Sequence, residues 1–330
     1  MKSTFKALRI QEQANNTFTK SIDTNNIDDL PDGDTLIKVE YSSLNFKDAL
    51  SASGNKGVTR EYPHTPGIDA AGTIVESERT TLNEGDKVIV TGFDLGMNTW
   101  GGYSEYIRVP SEWVVRMPEH LSPREAMIMG TAGLTAGLSV SQLLLNNIEE
   151  DGKVIVSGAT GGVGLISTAI LAMHGFDITA ITGKKDMHET LKKIGANHVI
   201  SREELQEKAH KPLLKGIYAG AIDVAGGKTL DSILKQLKYD GIATCCGLVD
   251  SPKLETTVFP FILRGIRLIG IDTAESNIKF REKVWKMFSQ EWKITLPDEL
   301  IHECHLDELP TYIDHMLAGK IKGRVVVNIQ

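Results

Sequence analysis

Lys153-Val-Ile-Val-Ser157 runs without a break into Gly158-Ala159-Thr160-Gly161-Gly162-Val163-Gly164, and then into an uncharged stretch from Leu165 to Met173. Five residues with no polar alternation read as a strand covered on both faces. The stretch after the glycines has helical length. Strand, glycine turn and helix in that order make the geometry that holds a pyrophosphate, because the first-turn N–H groups are free and the helix dipole is positive there. Glycine is needed where a Cβ would block the phosphates or keep the helix from the strand. The spacing is G-x-x-G-x-x-G rather than the commonest form, so the reading leans on its strand-and-helix context. The plain alternative is a tight turn in a sheet protein that binds no nucleotide.

Downstream, strands and helices keep alternating. The pattern predicts a helix over Gly164–His174, a strand over Asp177–Thr182 and a helix over Asp186–Ile194. Strands over His198–Ser201 and Ala219–Val224, a helix over Lys228–Lys238, and strands over Gly241–Cys246 and Arg267–Ile271 follow. This order implies a doubly wound parallel sheet with right-handed crossovers.

Upstream the texture differs. Thr35–Tyr41, Ala71–Val75, Lys87–Val90 and Ser104–Val109 are short strand-like runs broken by Gly, Pro, Asn and Asp, which suggests a compact, mostly-β unit. Ser122-Pro123-Arg124-Glu125 has the spacing of a capped helix start. At the far end a helix over Glu308–Ala318 leads to a strand over Arg324–Ile329. Alone that strand would leave a bare edge, so it is expected to pair back with the first unit.

The end of the second strand discriminates between dinucleotides. An NAD site usually places Asp or Glu there for the ribose hydroxyls. Here the residues are Ile181-Thr182-Gly183-Lys184-Lys185. A hydroxyl, a glycine and two ammonium groups suit a 2′-phosphate, so NADPH is the expected cofactor. Arg202, just past the third strand, is a further candidate for the adenosine phosphate. The alternatives are that Lys184 and Lys185 only cap a solvated helix and that Arg202 makes a surface ion pair.

Composition has the balance of a soluble globular protein rather than of a binder of polyanions. The 330 residues are 41% hydrophobic and 24% charged, with net charge −7. A diffuse negative field repels nucleic acid and anionic membranes. Three cysteines, Cys245, Cys246 and Cys304, form no disulfide framework or four-cysteine metal site, which fits a reducing cytoplasm. The opening MKSTFKALRI is too short and polar for a signal sequence, and no run approaches the ~18–20 consecutive apolar residues of a membrane span.

Several longer motifs resemble the medium-chain dehydrogenase/reductase superfamily over essentially the whole chain. They are Pro66-Gly67-Ile68-Asp69-Ala70-Ala71-Gly72, Asn83-Glu84-Gly85-Asp86-Lys87-Val88 and Gly130-Thr131-Ala132-Gly133-Leu134-Thr135-Ala136. Ser42-Ser43-Leu44-Asn45-Phe46-Lys47-Asp48-Ala49-Leu50, Phe259–Gly265 and Gly270-Ile271-Asp272-Thr273 are similar to its zinc-free acryloyl-CoA reductase and quinone oxidoreductase branch. The resemblance implies a GroES-like catalytic domain from residues 1–122 and 274–330, and a Rossmann NADP-binding domain over 123–273. It also implies a homodimer, usually joined through the sixth strand of the cofactor sheets. It places the cofactor against Thr135, Thr160, Gly161, Gly162, Val163, Thr182, Gly183, Lys184, Arg202, Leu248, Ile262, Thr273 and Arg324. Phe46 falls where the family commonly has a tyrosine near the nicotinamide, so a hydroxyl is lost and a packing surface kept.

Zinc-dependent relatives carry metal ligands at places that read Asn45 and Ile68-Asp69 here, so no metal is expected. Cys245-Cys246 lies in an apolar strand and reads as packing. His302, Cys304 and His305 lack a fourth ligand. Without a Lewis acid the expected chemistry is hydride delivery to an already activated acceptor, such as a carbon–carbon double bond conjugated to a carbonyl. The enzyme must then orient two reactants and offer donors to the developing enolate. Asn45, Asp48, Arg60 and Tyr62, with Lys47, stand on the loop-rich stretch Asn45 to Tyr62 and are the catalytic candidates; Asp48 suits orienting its neighbours better than donating. Ordinary turn formation and surface pairing are the alternatives for each. The expected acceptor is acryloyl-CoA. Rival readings are a quinone reductase, and a nucleotide-binding scaffold or RNA-binding protein, against which the acidic charge weighs.

Overall fold

The computed structural model describes residues 3–146, 148, 152–207 and 209–330; Met1 and Lys2 of the opening stretch lie outside them. The chain divides into two compact units. One comprises Met1–Thr131, Thr273–Lys293 and Pro297–Gln330, the other Ala132–Asp272 and Ile294–Leu296.

In chain order the first unit begins with β1 (Thr4–Glu12) and β2 (Phe18–Asn26), an antiparallel hairpin. Then come β3 (Thr35–Leu44), α1 (Phe46–Ala52), β4 (Asp69–Ser77), β5 (Lys87–Thr91), β6 (Tyr106–Val109) and β7 (Val114–Arg116). The kinked helix α2 (Pro123–Leu145) starts here. Its predicted cap is present: the Ser122 backbone N–H donates to Glu125 Oε2 at 2.8 Å, and Ser122 Oγ accepts from the Glu125 N–H at 3.2 Å.

The second unit holds β8 (Lys153–Val156), α3 (Gly162–Met173), β9 (Asp177–Ile181), α4 (His188–Ile194), β10 (His198–Ile200) and α5 (Arg202–Gln206). It continues with β11 (Tyr218–Asp223), α6 (Gly227–Leu234), β12 (Leu237–Cys245), α7 (Phe259–Arg264) and β13 (Arg267–Gly270). The chain returns to the first unit through α8 (Ile278–Ser289), β14 (Ile301–His305), α9 (Leu309–Leu317) and β15 (Arg324–Asn328).

The second unit is the expected parallel sheet, in the order β10-β9-β8-β11-β12-β13. Strand order reverses between β8 and β11, and in such sheets the crevice at the reversal is where ligands bind. The glycine loop leaves β8 at that point. In the first unit the order is β14-β15-β3-β4-β5-β7, with β6 also on β3. The terminal strand pairs back as expected: β15 is antiparallel to β3, with Val325 opposite Leu44. Alternate residues such as Ile37, Val39, Val88, Val90, Val325 and Val327 fill this unit's core.

Four expectations need correction. The helix placed over Lys228–Lys238 ends at Leu234, because Leu237 already pairs with Tyr218 in the β12–β11 ladder. The strand placed from Ser104 begins at Tyr106; Ser104 makes only an isolated bridge to Ala7. The stretch from Asn45 is not loop throughout, since Phe46–Ala52 is helical. Finally, α2 is long and apolar enough to cross a membrane by length and composition. Met127, Leu134, Ala136, Val140 and Leu143 are all fully buried along it, which is the pattern of a core helix.

Arg281 is among the charged residues buried in the first unit. Arg281, fully shielded from solvent, donates from Nε to the Ser276 carbonyl at 3.0 Å and from Nη2 to those of Thr273 and Ala274 at 2.6 Å each. Its Nη1 donates to the carbonyl and hydroxyl of Thr91. The guanidinium also lies 4.1 Å from the Phe93 ring centroid. Five N–H donors thus meet five acceptors, the condition under which a buried arginine is tolerated.

Candidate active site

In the second unit the glycine loop has the shape its sequence requires. Gly158 has φ +57°, a conformation open to glycine at little cost. The Ala159 N–H donates to the Ile181 carbonyl at 3.2 Å, tying the loop to the end of β9. Gly161 is the N-cap residue of α3, and no side chain caps that terminus. A Cβ on Gly164 would stand 2.4 Å from the Gly158 carbonyl oxygen and 2.6 Å from the Ala159 Cα, so only glycine lets the helix approach the strand. An uncapped helix start above a cradle that excludes side chains fits a phosphate group.

Thr182 is buried, and its Oγ1 accepts from the Lys184 N–H at 3.0 Å. Gly183 and Lys185 are exposed, and Lys184 is half-buried at the start of the short 3₁₀ turn Lys185–Met187. Arg202 is the exposed first residue of α5, whose cap is Ser201. Thr160 and Thr135 are buried, while Leu248 and Ile262 are exposed.

The first unit carries a polar cluster around Asp69. This carboxylate is fully buried and accepts from Ser43 Oγ at 2.6 Å and Asn45 Nδ2 at 2.8 Å. It also accepts from the Thr131 backbone N–H at 2.9 and 3.0 Å and from Thr131 Oγ1 at 2.6 Å. Gly130 makes the Thr131 contacts possible. It breaks α2 with φ 51° and ψ −154°, and a Cβ there would lie 2.6 Å from both Asp69 Oδ2 and Ser43 Oγ.

Arg324, at the start of β15, faces the same cluster. Nε donates to the Ile128 carbonyl at 2.8 Å and Nη1 reaches Asn45 Oδ1 at 3.4 Å. Nη2 is buried and has no hydrogen-bond partner among the described residues. Burial lowers the guanidinium pKa, and the charge of Asp69 opposes that shift. A buried arginine donor without an acceptor is costly, so this nitrogen suits an anionic or carbonyl oxygen supplied by a ligand.

Asp48 is fully buried one turn into α1. Its Oδ1 accepts the Ile68 N–H at 2.8 Å, and its Oδ2 accepts the Asn45 N–H at 2.8 Å and Asn45 Nδ2 at 3.2 Å. Burial first, and then the charge of Asp69, push its carboxyl up to about 7. Three donors and no solvent leave Asp48 holding Asn45 and the Ile68 amide.

The other candidates fare differently. The Asn45 amide faces Asp69 and Asp48, so its reading as a free donor to an enolate is corrected: it bridges two carboxylates and caps α1. Tyr62 donates its hydroxyl to the Ser51 carbonyl at 2.6 Å and packs edge-on against Phe18. That hydroxyl is committed to the backbone. Arg60 is exposed, with its backbone N–H directed at Asn98. Neither hydrogen-bonds to the Asp69 cluster. Lys47 Nζ lies 3.5 Å from Met97 Sδ, and the Phe46 ring is half exposed beside Asn45. Thr273 is buried with its carbonyl held by Arg281.

Ser43, Asp69, Gly130 and Thr131 were missed as site residues. Each lies inside a motif the sequence displays, but nothing in the sequence shows that the motifs meet. Among the described residues no group of three or more His, Cys, Asp or Glu is placed to hold a metal ion.

Comparison with known proteins agrees with both halves. Residues 31–119 match the alcohol dehydrogenase GroES-like domain family, and residues 162–290 the zinc-binding dehydrogenase family. The chain is 42% identical, over 100% of both sequences, to "Putative quinone oxidoreductase YhfP" of Bacillus subtilis. The crystal structure of that protein with NAD bound superposes with a TM-score of 0.94, covering 99% of each chain. Acrylyl-CoA reductase AcuI of Ruegeria pomeroyi is 39% identical, over 91% of this chain and 92% of its own. The yhdH oxidoreductase from Salmonella enterica, solved in complex with NADP, is 39% identical with a TM-score of 0.93, covering 98% of this chain and 100% of that one. The chain therefore belongs to the medium-chain dehydrogenase/reductase superfamily, in its zinc-free acryloyl-CoA reductase and quinone oxidoreductase branch.

Proposed function

We propose that the protein is an NADPH-dependent reductase of an activated carbon–carbon double bond, with acryloyl-CoA as acceptor and propanoyl-CoA as product. The observation that carries the reading is the pairing of an uncapped glycine-loop helix with Thr182-Gly183-Lys184 at the end of the next strand. When bound, NADPH would supply a hydride to the β-carbon of an α,β-unsaturated thioester, whose α-carbon would then take a proton from a side chain or water. Thr160, Gly161, Gly162 and Val163 hold the pyrophosphate through backbone N–H groups. Thr182, Gly183, Lys184 and Arg202 take the 2′-phosphate side, with Lys184 as the point charge. Phe46, Thr135, Leu248, Ile262 and Thr273 provide packing or hydrogen bonds along the cofactor.

Arg324 offers its unpartnered Nη2 to the cofactor. The charge of Asp69 favours a charged Arg324, and Ser43, Asn45 and Thr131 hold Asp69 in place. A preorganised cluster of this kind does not have to rearrange as charge develops. Arg60 remains available for a distant anionic part of a coenzyme A ester.

The homodimer is proposed to form along β13, the edge strand of the parallel sheet. The same unit exposes Val249, Val258, Phe259 and Leu263, apolar surface of the kind an interface covers. Sedimentation of the purified protein tests this, with a mass near twice 36.1 kDa expected. Three free cysteines and an acidic surface suit the cytoplasm, with no nucleic-acid or membrane partner.

The second reading is an NADPH:quinone oxidoreductase, favoured by the name of the Bacillus relative. Following NADPH absorbance with acryloyl-CoA and with a benzoquinone separates the two. Turnover with the thioester supports the proposal, and turnover with the quinone alone overturns it.

A further inference from the structure

The last residue of β11 is a carboxylate that sequence reading passed over. Asp223 has no solvent exposure. Its Oδ1 accepts from Ser157 Oγ at 2.6 Å and from the Ala225 N–H at 3.3 Å, and its Oδ2 accepts from the Gly226 N–H at 2.7 Å. Ser157 Oγ in turn accepts from the Val224 N–H at 2.9 Å. That oxygen receives one hydrogen from the backbone, so its own hydrogen goes to Asp223.

These bonds join three loops at the same end of the parallel sheet. Ser157 directly precedes Gly158 and so sets the start of the glycine loop. Val224 to Gly226 form the turn after β11, where Gly226 and Gly227 have φ +71° and +53°. A Cβ on Gly158 would meet the Val224 Cβ at 3.3 Å, so the first two loops lie in contact. The Asp223 carbonyl accepts from the Cys246 N–H at 3.0 Å, and the Ala225 carbonyl from the Asp250 N–H at 2.8 Å. The third loop, which carries Leu248, is thereby held at both ends.

We propose that Asp223 is a positioning residue of the cofactor site: its carboxylate, acting through Ser157 and the Val224–Gly226 turn, fixes the glycine loop and the Leu248 loop in their ligand-binding arrangement. This rests on the reading of the glycine loop as the pyrophosphate site. A carboxylate is required because both oxygens face donors. An asparagine of the same size turns its NH₂ group toward the Ser157 hydroxyl or the Gly226 N–H. The resulting strain falls on the loops, since β8 and β11 are held by their ladder.

The test is the dissociation constant for NADPH, measured by fluorescence on the full chain, for wild type, Asp223→Asn, Ser157→Ala and the double variant. Loss of one charge-assisted hydrogen bond corresponds to roughly a tenfold weakening. Asp223→Asn is expected to raise the constant by about that factor, with the KM for NADPH rising more than the KM for the acceptor. Ser157→Ala is expected to raise it by a smaller factor. Because both act through one bond, the double variant should be little worse than Asp223→Asn alone. A folded Asp223→Asn that melts earlier yet binds NADPH within about twofold of wild type overturns the proposal, because a purely structural role lowers stability without touching affinity. If Asp223→Asn does not fold, an unchanged constant in Ser157→Ala overturns it. Wild-type protein that binds no NADPH would instead remove the glycine-loop reading itself, and this inference with it.

Discussion

Asn45 donates its side-chain amide to Asp69 Oδ2 at 2.8 Å while its own carbonyl oxygen faces Arg324 Nη1 at 3.4 Å, so one neutral residue lies between a buried anion and a buried cation. Asn45, Ile68 and Asp69 join Ser43, Asp48 and Thr131 in one hydrogen-bonded cluster.

Replacing Asn45 with leucine keeps the branched shape, with a somewhat larger volume, and removes both contacts. The loss of buried hydrogen bonds should lower stability by about 1–3 kcal/mol. Turnover should fall by at least roughly tenfold, because Arg324 and Asp69 lose the group that spaces them. Thermal melts and steady-state kinetics on one preparation check both. Full activity in a destabilised protein would place the cluster outside the active site.

Asp48 makes a pH-dependent contribution whose sign follows from its raised pKa. Its carboxyl titrates near 7 in the folded protein, and near 4 when unfolded. Between those values the folded state binds the extra proton, so this group's contribution to stability is fully present below about pH 4 and is lost as pH rises toward 7. Asp48→Asn cannot titrate. The stability of wild type relative to this variant should therefore decline across that window, by an amount of order 2–4 kcal/mol. Denaturant unfolding of both proteins at pH 4.5 and 7.5 measures it. A constant difference would show that Asp48 titrates at its ordinary value.

Lys184→Glu exchanges the proposed partner of the 2′-phosphate for a like charge. NADPH affinity should fall by about tenfold or more, and NADH affinity far less. Titration with both nucleotides decides; equal losses would show that Lys184 does not face the 2′-phosphate. The comparison matters because the Bacillus relative was crystallised with NAD and the Salmonella relative with NADP.

Gly164→Ala puts a methyl group 2.4 Å from the Gly158 carbonyl oxygen, where backbone rather than a flexible side chain must yield. Overpacking of this kind costs about 1–3 kcal/mol and moves the loop. A lowered melting temperature with loss of NADPH binding is expected.

What was legible in the sequence follows from where the information is local. Lys153–Ser157 and Asp177–Thr182 read as strands because both faces of their sheet are covered, and the glycines between them need only their neighbours for interpretation. The hairpin of β1 and β2 was not read, because Lys20, Asp23, Thr24 and Asn25 give β2 no apolar alternation. Helix α1 is not legible in the sequence, because Asn45, Lys47, Asp48 and Ser51 are turn and surface residues by type. In the structure Asp48 and Ser51 are buried, and their polarity is absorbed by partners 20 and 8 positions away. The Asp69–Thr131 contacts bridge 62 positions and depend on a break at Gly130 that composition alone does not announce. Charged residues such as Asp223 and Arg281 look solvated in a sequence, and only their saturated hydrogen bonding explains their burial.

The most direct measurement of the central claim is the fate of the transferred hydride. NADPH deuterated at C4 of the nicotinamide, on each face in turn, is to be incubated with acryloyl-CoA and the purified protein. The account predicts propanoyl-CoA carrying one deuterium on its β-carbon from one of the two labelled cofactors. Unlabelled product from both, or oxidation of NADPH by benzoquinone with acryloyl-CoA left intact, would contradict it.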